Sequence, residues 1–252
     1  MLTGMLNDTP AGYLPVLARR IRCYQLCPFS KDSLPGAVLQ HILSSARGDT
    51  VLDTYDFVDN ISLCKKIGWQ VKSTKSSTPV TWKRAKIPNK AALIANSKLG
   101  SSGCRKLGNA IIEFCNHHAE ESIAKYNLDE LRLARLVIFT DEKALYYERV
   151  LCTKSNPKIF DPDSYDWSWS AQKTTTAGAK EQLPALHGHD KAGLKSWAWH
   201  GLGENQLHFV GEQRWWPSTA SPSAPHVRFD LPDPAGRLGW AEFTDALAIS
   251  KS

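Results

Sequence analysis

The segment 51–75 carries aspartates, a glutamine and a lysine in an order suited to metal-assisted chemistry. Asp56 and Asp59 come first, and Gln70 and Lys72 follow on a stretch that alternates like a β-strand. Because successive side chains of a strand point to opposite faces, Gln70 and Lys72 share one face. Carboxylate and amide oxygens are ligands for Mg²⁺, and a neighbouring lysine can orient or activate a water molecule. Together these groups predict metal-dependent hydrolysis of a phosphodiester.

A hairpin of two strands is expected to bring these groups together. The first strand is predicted at 55–59 and ends at Asn60, a residue type that favours turns. The second strand contains Gln70, with Trp69 and Val71 on its opposite, core-facing side. Pairing of the two strands would place an aspartate of the first close to Gln70 of the second.

This order of groups resembles the catalytic signature of the PD-(D/E)XK nuclease superfamily, over roughly residues 34–139. In that signature an aspartate ends one strand, and after a variable gap Asp or Glu, any residue, and Lys follow on the next. Gln70 stands where the superfamily has the acid, and the missing charge is expected to weaken metal binding. The gap before Gln70 is ten residues from Asp59 and thirteen from Asp56, so either aspartate fits. Asp59 is favoured because it lies at the predicted strand end.

The resemblance implies a type II restriction endonuclease-like enzyme that hydrolyses double-stranded DNA with Mg²⁺ as cofactor. Asp59 (or Asp56) and Gln70 would hold the metal. The carbonyl of Val71 is a further candidate ligand, and Lys72 would orient or deprotonate the attacking water. The resemblance also implies a homodimer, because two sites cut the two strands of a palindrome.

Two other functions stay open. The uncharged Gln70 favours a non-catalytic DNA-binding protein on a degenerate nuclease fold, whereas the retained Lys72 argues against it. A nuclease that acts on RNA or on damaged DNA is the other.

A run of cations and hydroxyls at 73–86 follows the candidate site directly, and its alternative interpretation is a solvated basic loop without a ligand. Such side chains donate hydrogen bonds to phosphate oxygens and fix a protein's register on a duplex. Trp82 lies among them. The predicted contacts to the DNA backbone are Lys75, Lys83, Arg84 and Lys86.

A second polar cluster lies between residues 187 and 214. Its candidate DNA contacts are His187, His189, Lys191, Lys195 and Arg214. The series His187, His200, Asn205 and His208 also has a loose resemblance to HNH nucleases. The helix that HNH nucleases have after the asparagine is missing, because 206–210 alternates like a strand.

Composition limits the remaining choices. The net charge is +6, which suits an anionic partner such as DNA. No apolar run is long enough to cross a membrane, and the N-terminal residues lack the pattern of a secretory signal, so a cytoplasmic location is expected. The six cysteines are scattered, which fits reduced thiols. Cys23 and Cys27 lack a second pair of ligands, so no zinc site is expected.

The expected fold class is α/β, with a restriction-endonuclease-like core of a mixed β-sheet flanked by helices and a β-rich C-terminal recognition part. Residues 1–153 are predicted to form the nuclease core with N-terminal helices. Residues 154–252 are predicted to form the DNA-recognition part, built onto the same domain. The predicted helices are 34–47, 90–97, 104–126 and 239–252, and the predicted later strands are 135–140, 146–152, 195–200 and 205–216.

Overall fold

A computed structural model describes residues 9–30, 33–172, 183–217 and 224–249. The chain divides into two compact units, and each unit is assembled from separate segments. Unit 1 consists of Met1–Thr78, Tyr126–Leu151 and Pro217–Ser252. Unit 2 consists of Pro79–Lys125 and Cys152–Trp216. The described residues form a mixed α/β structure, as the sequence predicted.

The elements are named here in chain order. The helices are α1 (Pro10–Gln25), α2 (Gly36–Arg47), α3 (Lys90–Ser97), α4 (Ser101–Tyr126) and α5 (Trp240–Ile249). The strands are β1 (Thr50–Val51), β2 (Asn60–Ser62), β3 (Ile67–Lys75), β4 (Val80–Arg84), β5 (Glu130–Ile138), β6 (Lys143–Thr153), β7 (Tyr165–Trp169), β8 (Leu186–Asp190), β9 (Lys195–His200), β10 (Gln206–Phe209) and β11 (His226–Asp230).

Within the described residues, unit 1 contains a sheet of six strands in the order β1-β2-β3-β5-β6-β11. β3 and β5 are parallel, with Lys72 opposite Arg135, whereas β2 and β3 are antiparallel. One core lies between this sheet and the helices α1 and α2, and it includes Trp69 and Val71 of β3. The predicted core-facing side of β3 is therefore confirmed.

Helix α2 confirms the predicted helix at 34–47. Gly48 adopts a left-handed conformation with φ of 79°, and its N–H bonds to the carbonyl of Ser44. Glycine reaches this conformation without the steric penalty of a Cβ atom. The predicted helix at 90–97 and the strand at 195–200 also have the bounds expected, and the helix predicted at 104–126 begins three residues earlier, at Ser101.

The strand predicted at 55–59 is wrong. These residues form bends, and Asn60, expected to end a strand, begins β2 instead. Asn60 is fully buried, and its Nδ2 donates to the carbonyl of Gln40 over 2.9 Å. That tertiary hydrogen bond compensates for the turn preference of asparagine, which the sequence pattern alone could not show.

Unit 2 contains, among the described residues, an antiparallel sheet of five strands in the order β4-β10-β9-β8-β7. Its buried face carries an aromatic cluster in which Trp82, Trp197 and Phe209 pack edge-on or tilted. The alternative interpretation of 73–86 as a solvated loop is wrong in part, because β4 forms there and Trp82 is fully buried. The strand predicted at 205–216 ends at Phe209, and a 3-10 turn follows.

In the parts of the chain that the structure describes, no helix combines the length and the apolar character needed to cross a bilayer. The terminal helix α5 agrees with the prediction for 239–252 as far as Ile249. Two further stretches, 171–178 and 218–225, are predicted to be loops from their composition, and most of each lies outside the described residues.

Candidate functional site

Strand β3 presents the two predicted polar groups away from the helices α1 and α2. Trp69 and Val71 belong to the core that these helices cover, so the alternation of the strand places Gln70 and Lys72 on the opposite face. Gln70 is 3% exposed, whereas Lys72 is partly exposed. The shared face predicted for Gln70 and Lys72 is thus present.

Asp59 lies directly before β2 and is bonded to β3 through both its main chain and its side chain. Its N–H donates to the carbonyl of Trp69 over 2.8 Å, which continues the strand pairing. Its Oδ2 accepts the N–H of Val71 over 2.6 Å. The carboxylate therefore takes the place of a strand carbonyl next to Val71, the residue between Gln70 and Lys72. The structure therefore brings Asp59, Gln70 and Lys72 together.

Asp56 has a different set of partners. Its Oδ2 accepts hydrogen bonds from the hydroxyls of Thr54, over 2.9 Å, and Tyr126, over 2.5 Å. These bonds hold the bends that precede β2. Asp59 is the candidate aspartate that accepts the N–H of Val71 in β3.

The Lys72 ammonium lies among charged neighbours. Burial lowers its pKa, the cation of Arg135 on β5 lowers it further, and the carboxylate of Asp59 raises it. Arg135 is 1% exposed and donates to the hydroxyl of Thr74 over 2.8 Å. Because the pKa of Lys72 is lowered, a larger share of it is the neutral amine that can accept a proton.

The donor set at β3 fits a hard cation. The Asp59 carboxylate keeps acceptor capacity after it binds the Val71 N–H, and the Gln70 amide and Val71 carbonyl are oxygen donors as well. A single carboxylate gives this set less negative charge than the usual acid pair. In the described part of the chain no three His, Cys, Asp or Glu side chains converge as a metal cluster. The chemistry of the donors therefore suits Mg²⁺ held weakly, and not zinc.

The cations predicted to contact the DNA backbone have different environments. Lys75, at the end of β3 in unit 1, is exposed. In unit 2, Arg84 and Lys86 are exposed, whereas Lys83 is partly buried near α4. Burial raises the pKa of Cys115 on this helix, and the charge of Lys83 opposes that rise. Burial lowers the pKa of His118, and the charge of Lys83 lowers it further. A β-bulge in β4, opposite β10, explains the partial burial of Lys83, because it turns Lys83 toward the side of Leu207.

The sheet of unit 2 has a polar face opposite its aromatic face. His187, Lys195 and His208 line a pocket of about 330 Å³ on it, together with His200. The Nζ of Lys195 lies 3.0 Å from Nε2 of His187, and the rings of His200 and His208 are 5.0 Å apart. Burial lowers the pKa values of His200 and His208, so these rings are mainly neutral at pH 7.

Two of the remaining predicted DNA contacts, Arg214 and Lys191, are engaged in ion pairs within unit 2. Arg214 donates to Asp190 and, over 2.7 Å, to the hydroxyl of Ser196. Lys191 lies 3.6 Å from the carboxylate of Asp166. His189 lies beside His187 on β8, with a ring separation of 6.2 Å. Of the second polar cluster, His187, Lys195, His200 and His208 thus line one pocket on this sheet face.

A buried ionic network in unit 1 was not predicted from the sequence. Glu148 of β6 accepts hydrogen bonds from Arg47, Tyr13, Tyr146 and the indole of Trp69, with distances of 2.6 to 3.0 Å. These bonds lower the pKa of Glu148 despite its burial.

Arg47 also binds Asp49 over 2.6 Å and lies 4.0 Å above the Trp69 ring. The signal available in the sequence was the pair Tyr146 and Glu148, which alternation places on one face of β6.

Comparison of the chain with protein-family models, with curated proteins and with solved structures finds no match. The resemblance to the PD-(D/E)XK superfamily therefore stays a prediction, which depends on the residues of β2 and β3 described above.

Proposed function

We propose that this protein is a Mg²⁺-dependent, site-specific endonuclease for double-stranded DNA, of the type II restriction enzyme kind, on a restriction-endonuclease-like core. The observation that supports it most is the hydrogen bond from Val71 N–H to the Asp59 carboxylate, which puts an acid beside Gln70 and Lys72. The chain order is α2, β1, β2, β3, β4, α3, α4 and a β5 parallel to β3, and it contains the succession of helix, strand, strand, helix and strand that the resemblance implies.

Each group at β3 has a proposed role. Asp59, Gln70 and the carbonyl of Val71 would hold Mg²⁺, which when bound stabilises charge on the phosphate and lowers the pKa of a bound water. Lys72 would orient this water and accept its proton, which its lowered pKa favours. Arg135 helps to keep that pKa low, so it would act through Lys72.

DNA is proposed to lie against exposed cations and the polar sheet face. Lys75, Arg84 and Lys86 would contact phosphates, and the net charge of +6 favours the approach of a polyanion. His187, His189 and Lys195 would contact DNA from the sheet of unit 2. A homodimer, with one site for each strand, completes the proposal.

The first test is incubation of the purified protein with unmethylated phage DNA, in Mg²⁺ or in EDTA. We expect discrete fragments in Mg²⁺ alone. Lys72→Ala is expected to lower the rate by about 10²–10⁴-fold, the usual contribution of a positioned base. Lys143→Ala is the matched control, because Lys143 is exposed on β6 and pairs with Asp141. Equal cleavage by Lys72→Ala would overturn the active-site assignment.

Two specific observations keep second candidates in view. The neutral, buried Gln70 favours a DNA-binding protein without catalysis, which would shift DNA on a gel but leave it intact with Mg²⁺. The grouping of His187, His200 and His208 round one pocket favours an HNH-type centre. Cleavage that survives Lys72→Ala and is lost in His208→Ala would support the HNH-type centre.

A further inference from the structure

A separate pocket of unit 1 lies at the carboxyl ends of the parallel strands β3 and β5. Its volume is about 310 Å³, near the lower end of the range of small-molecule sites. Lys75 and Ile138, the last residues of these two strands, line it. In α/β sheets, ligands bind preferentially beyond the carboxyl ends of parallel strands, so the position itself is typical of a binding site.

The wall of this pocket is largely apolar. The side chains that form it come from the end of β5, from the residue that follows it and from the chain after β11. They are Ile138, Phe139, Leu231, Pro232 and Pro234. Such a wall suits a ligand with a hydrocarbon body, because apolar surface gains free energy when it leaves water.

Gln25, the last residue of α1, adds a polar group to this wall. It is 6% exposed, and its Nε2 is buried and donates to no acceptor among the described residues. Its main-chain carbonyl is satisfied by the Ser30 hydroxyl over 2.7 Å. A buried amide donor without an acceptor is costly, so an acceptor on a ligand would supply a missing hydrogen bond.

The charges at the pocket favour an anion. Lys75 and Arg237 line it with positive charge, and Glu142 is the acid of the described lining. The formal charge of the lining is therefore +1, from two cations and one carboxylate. A monoanion balances this charge, whereas a polyanion would meet the carboxylate of Glu142.

We propose that this pocket binds a small organic monoanion, namely a carboxylate attached to an apolar body of the size of a single ring. The carboxylate lies near Arg237 and Lys75 and accepts from Gln25, and the ring lies against the prolines. This site does not depend on the proposed nuclease activity, and the test uses no DNA.

The test is a titration of the intact protein with 3-phenylpropanoate, followed by calorimetry and by saturation-transfer NMR. We expect 3-phenylpropanoate to bind, and the uncharged 3-phenylpropanamide to bind about tenfold more weakly, the usual effect of losing a charged contact. Arg237→Gln and Gln25→Met are each expected to weaken binding about fivefold or more. Arg19→Gln is the matched control, because Arg19 is exposed on α1 and its substitution removes the same charge.

Several results would overturn the proposal. These are no saturation transfer at millimolar 3-phenylpropanoate, equal binding of the amide, or equal loss of binding in Arg19→Gln. Inorganic phosphate that binds as well as 3-phenylpropanoate would also overturn it, because the apolar body would then contribute nothing. If Gln25→Met does not fold, as judged by circular dichroism, the partly exposed Arg237→Gln decides the outcome.

Discussion

At Asp59 one carboxylate completes the strand pairing of β3 and is also the proposed acidic ligand of the metal. Its Oδ2 accepts the N–H of Val71, a bond that a neutral amide oxygen can also accept. Structural and chemical effects of this residue can therefore be separated by changing its charge while its shape is kept.

Asp59→Asn is expected to lower Mg²⁺-dependent cleavage by about a hundredfold or more, because the only carboxylate proposed for the metal is lost. The free energy of unfolding is expected to change by less than about 1 kcal/mol, since the bond to Val71 N–H is retained. Cleavage rates and urea denaturation check the two expectations. Asp53→Asn, which changes an exposed aspartate on the same segment, is the control.

The cleavage rate is expected to rise with pH as Lys72 loses its proton. Burial and Arg135 lower the pKa of Lys72, so the rise should be centred below the ordinary pKa of a lysine. The pH–rate profile of single turnovers measures this midpoint. Lys72→Arg keeps a charge that cannot be removed at these pH values, and a rise with the same midpoint in this variant would disprove the assignment of the proton to Lys72.

At the scale of the element, α2 places a buried cation, Arg47, beside two buried acids of unit 1. Arg47 ends the helix and bridges Asp49 and Glu148, all with side chains that are at most 2% exposed. Buried ion pairs of this kind often add little to stability, because desolvation offsets the attraction. The pKa shifts of the two acids have opposite signs, so they separate the two contributions.

Asp49 is expected to make the protein less stable as pH rises from 5 to 7. Burial raises the pKa of Asp49 to about 6, so the folded state keeps a proton that the unfolded state has lost. The stability from this group is full at low pH and disappears as pH rises through about 6, with a change of about 1.4 kcal/mol between pH 5 and 7. Asp49→Asn should lack this part of the pH dependence in urea denaturation.

Glu148 does not interfere with that measurement. Its pKa is lowered, so its contribution is present above its ordinary pKa and is lost only in stronger acid. An identical slope in wild type and Asp49→Asn between pH 5 and 7 would contradict the prediction for Asp49.

Strand β3 has a close contact that the sequence did not predict. A Cβ atom at Gly68 would lie 2.7 Å from Leu128 Cδ1 and 2.9 Å from Val58 Cγ1. Gly68→Ala is therefore expected to destabilise the protein by about 1–3 kcal/mol through overpacking. Gly36→Ala is the matched control: no atom would lie within 4 Å, and the helix α2 would gain about 0.4–1 kcal/mol. Thermal and urea denaturation measure both changes, and a neutral Gly68→Ala would show that β3 can shift.

At the scale of the whole molecule, each unit is built from segments that are far apart in the sequence. β6 of unit 1 pairs with β11, and β4 of unit 2 pairs with β10, so each sheet needs strands from both halves of the sequence. A fragment of residues 1–153 is therefore expected not to reach the native fold. Circular dichroism and limited proteolysis of this fragment provide the check, and a cooperative, protease-resistant fragment would show that residues 1–153 fold alone.

Much of the local structure could be predicted from the sequence, and the long-range contacts could not. The helix at 90–97 follows from local apolar spacing, and Gly48 marks the end of α2. The beginning of β2 at Asn60 depends on a bond to Gln40, twenty residues away in the sequence. The placement of Gln70 and Lys72 on one face of β3 followed from strand alternation. The hydrogen bond between the Asp59 carboxylate and the N–H of Val71 depends on the three-dimensional position of the backbone, which the periodicity of the sequence does not predict.

The separation of β4 and β10 also affects synthesis on the ribosome. About 120 residues lie between the end of β4 and the start of β10, its neighbour in the sheet. At a translation rate of roughly 5–20 residues per second, β4 waits on the order of ten seconds for that partner. During this interval Val80 and Trp82, which are buried in the finished fold, lack the strand that covers their edge. The yield of folded protein is therefore expected to depend on growth temperature and chaperone supply during expression.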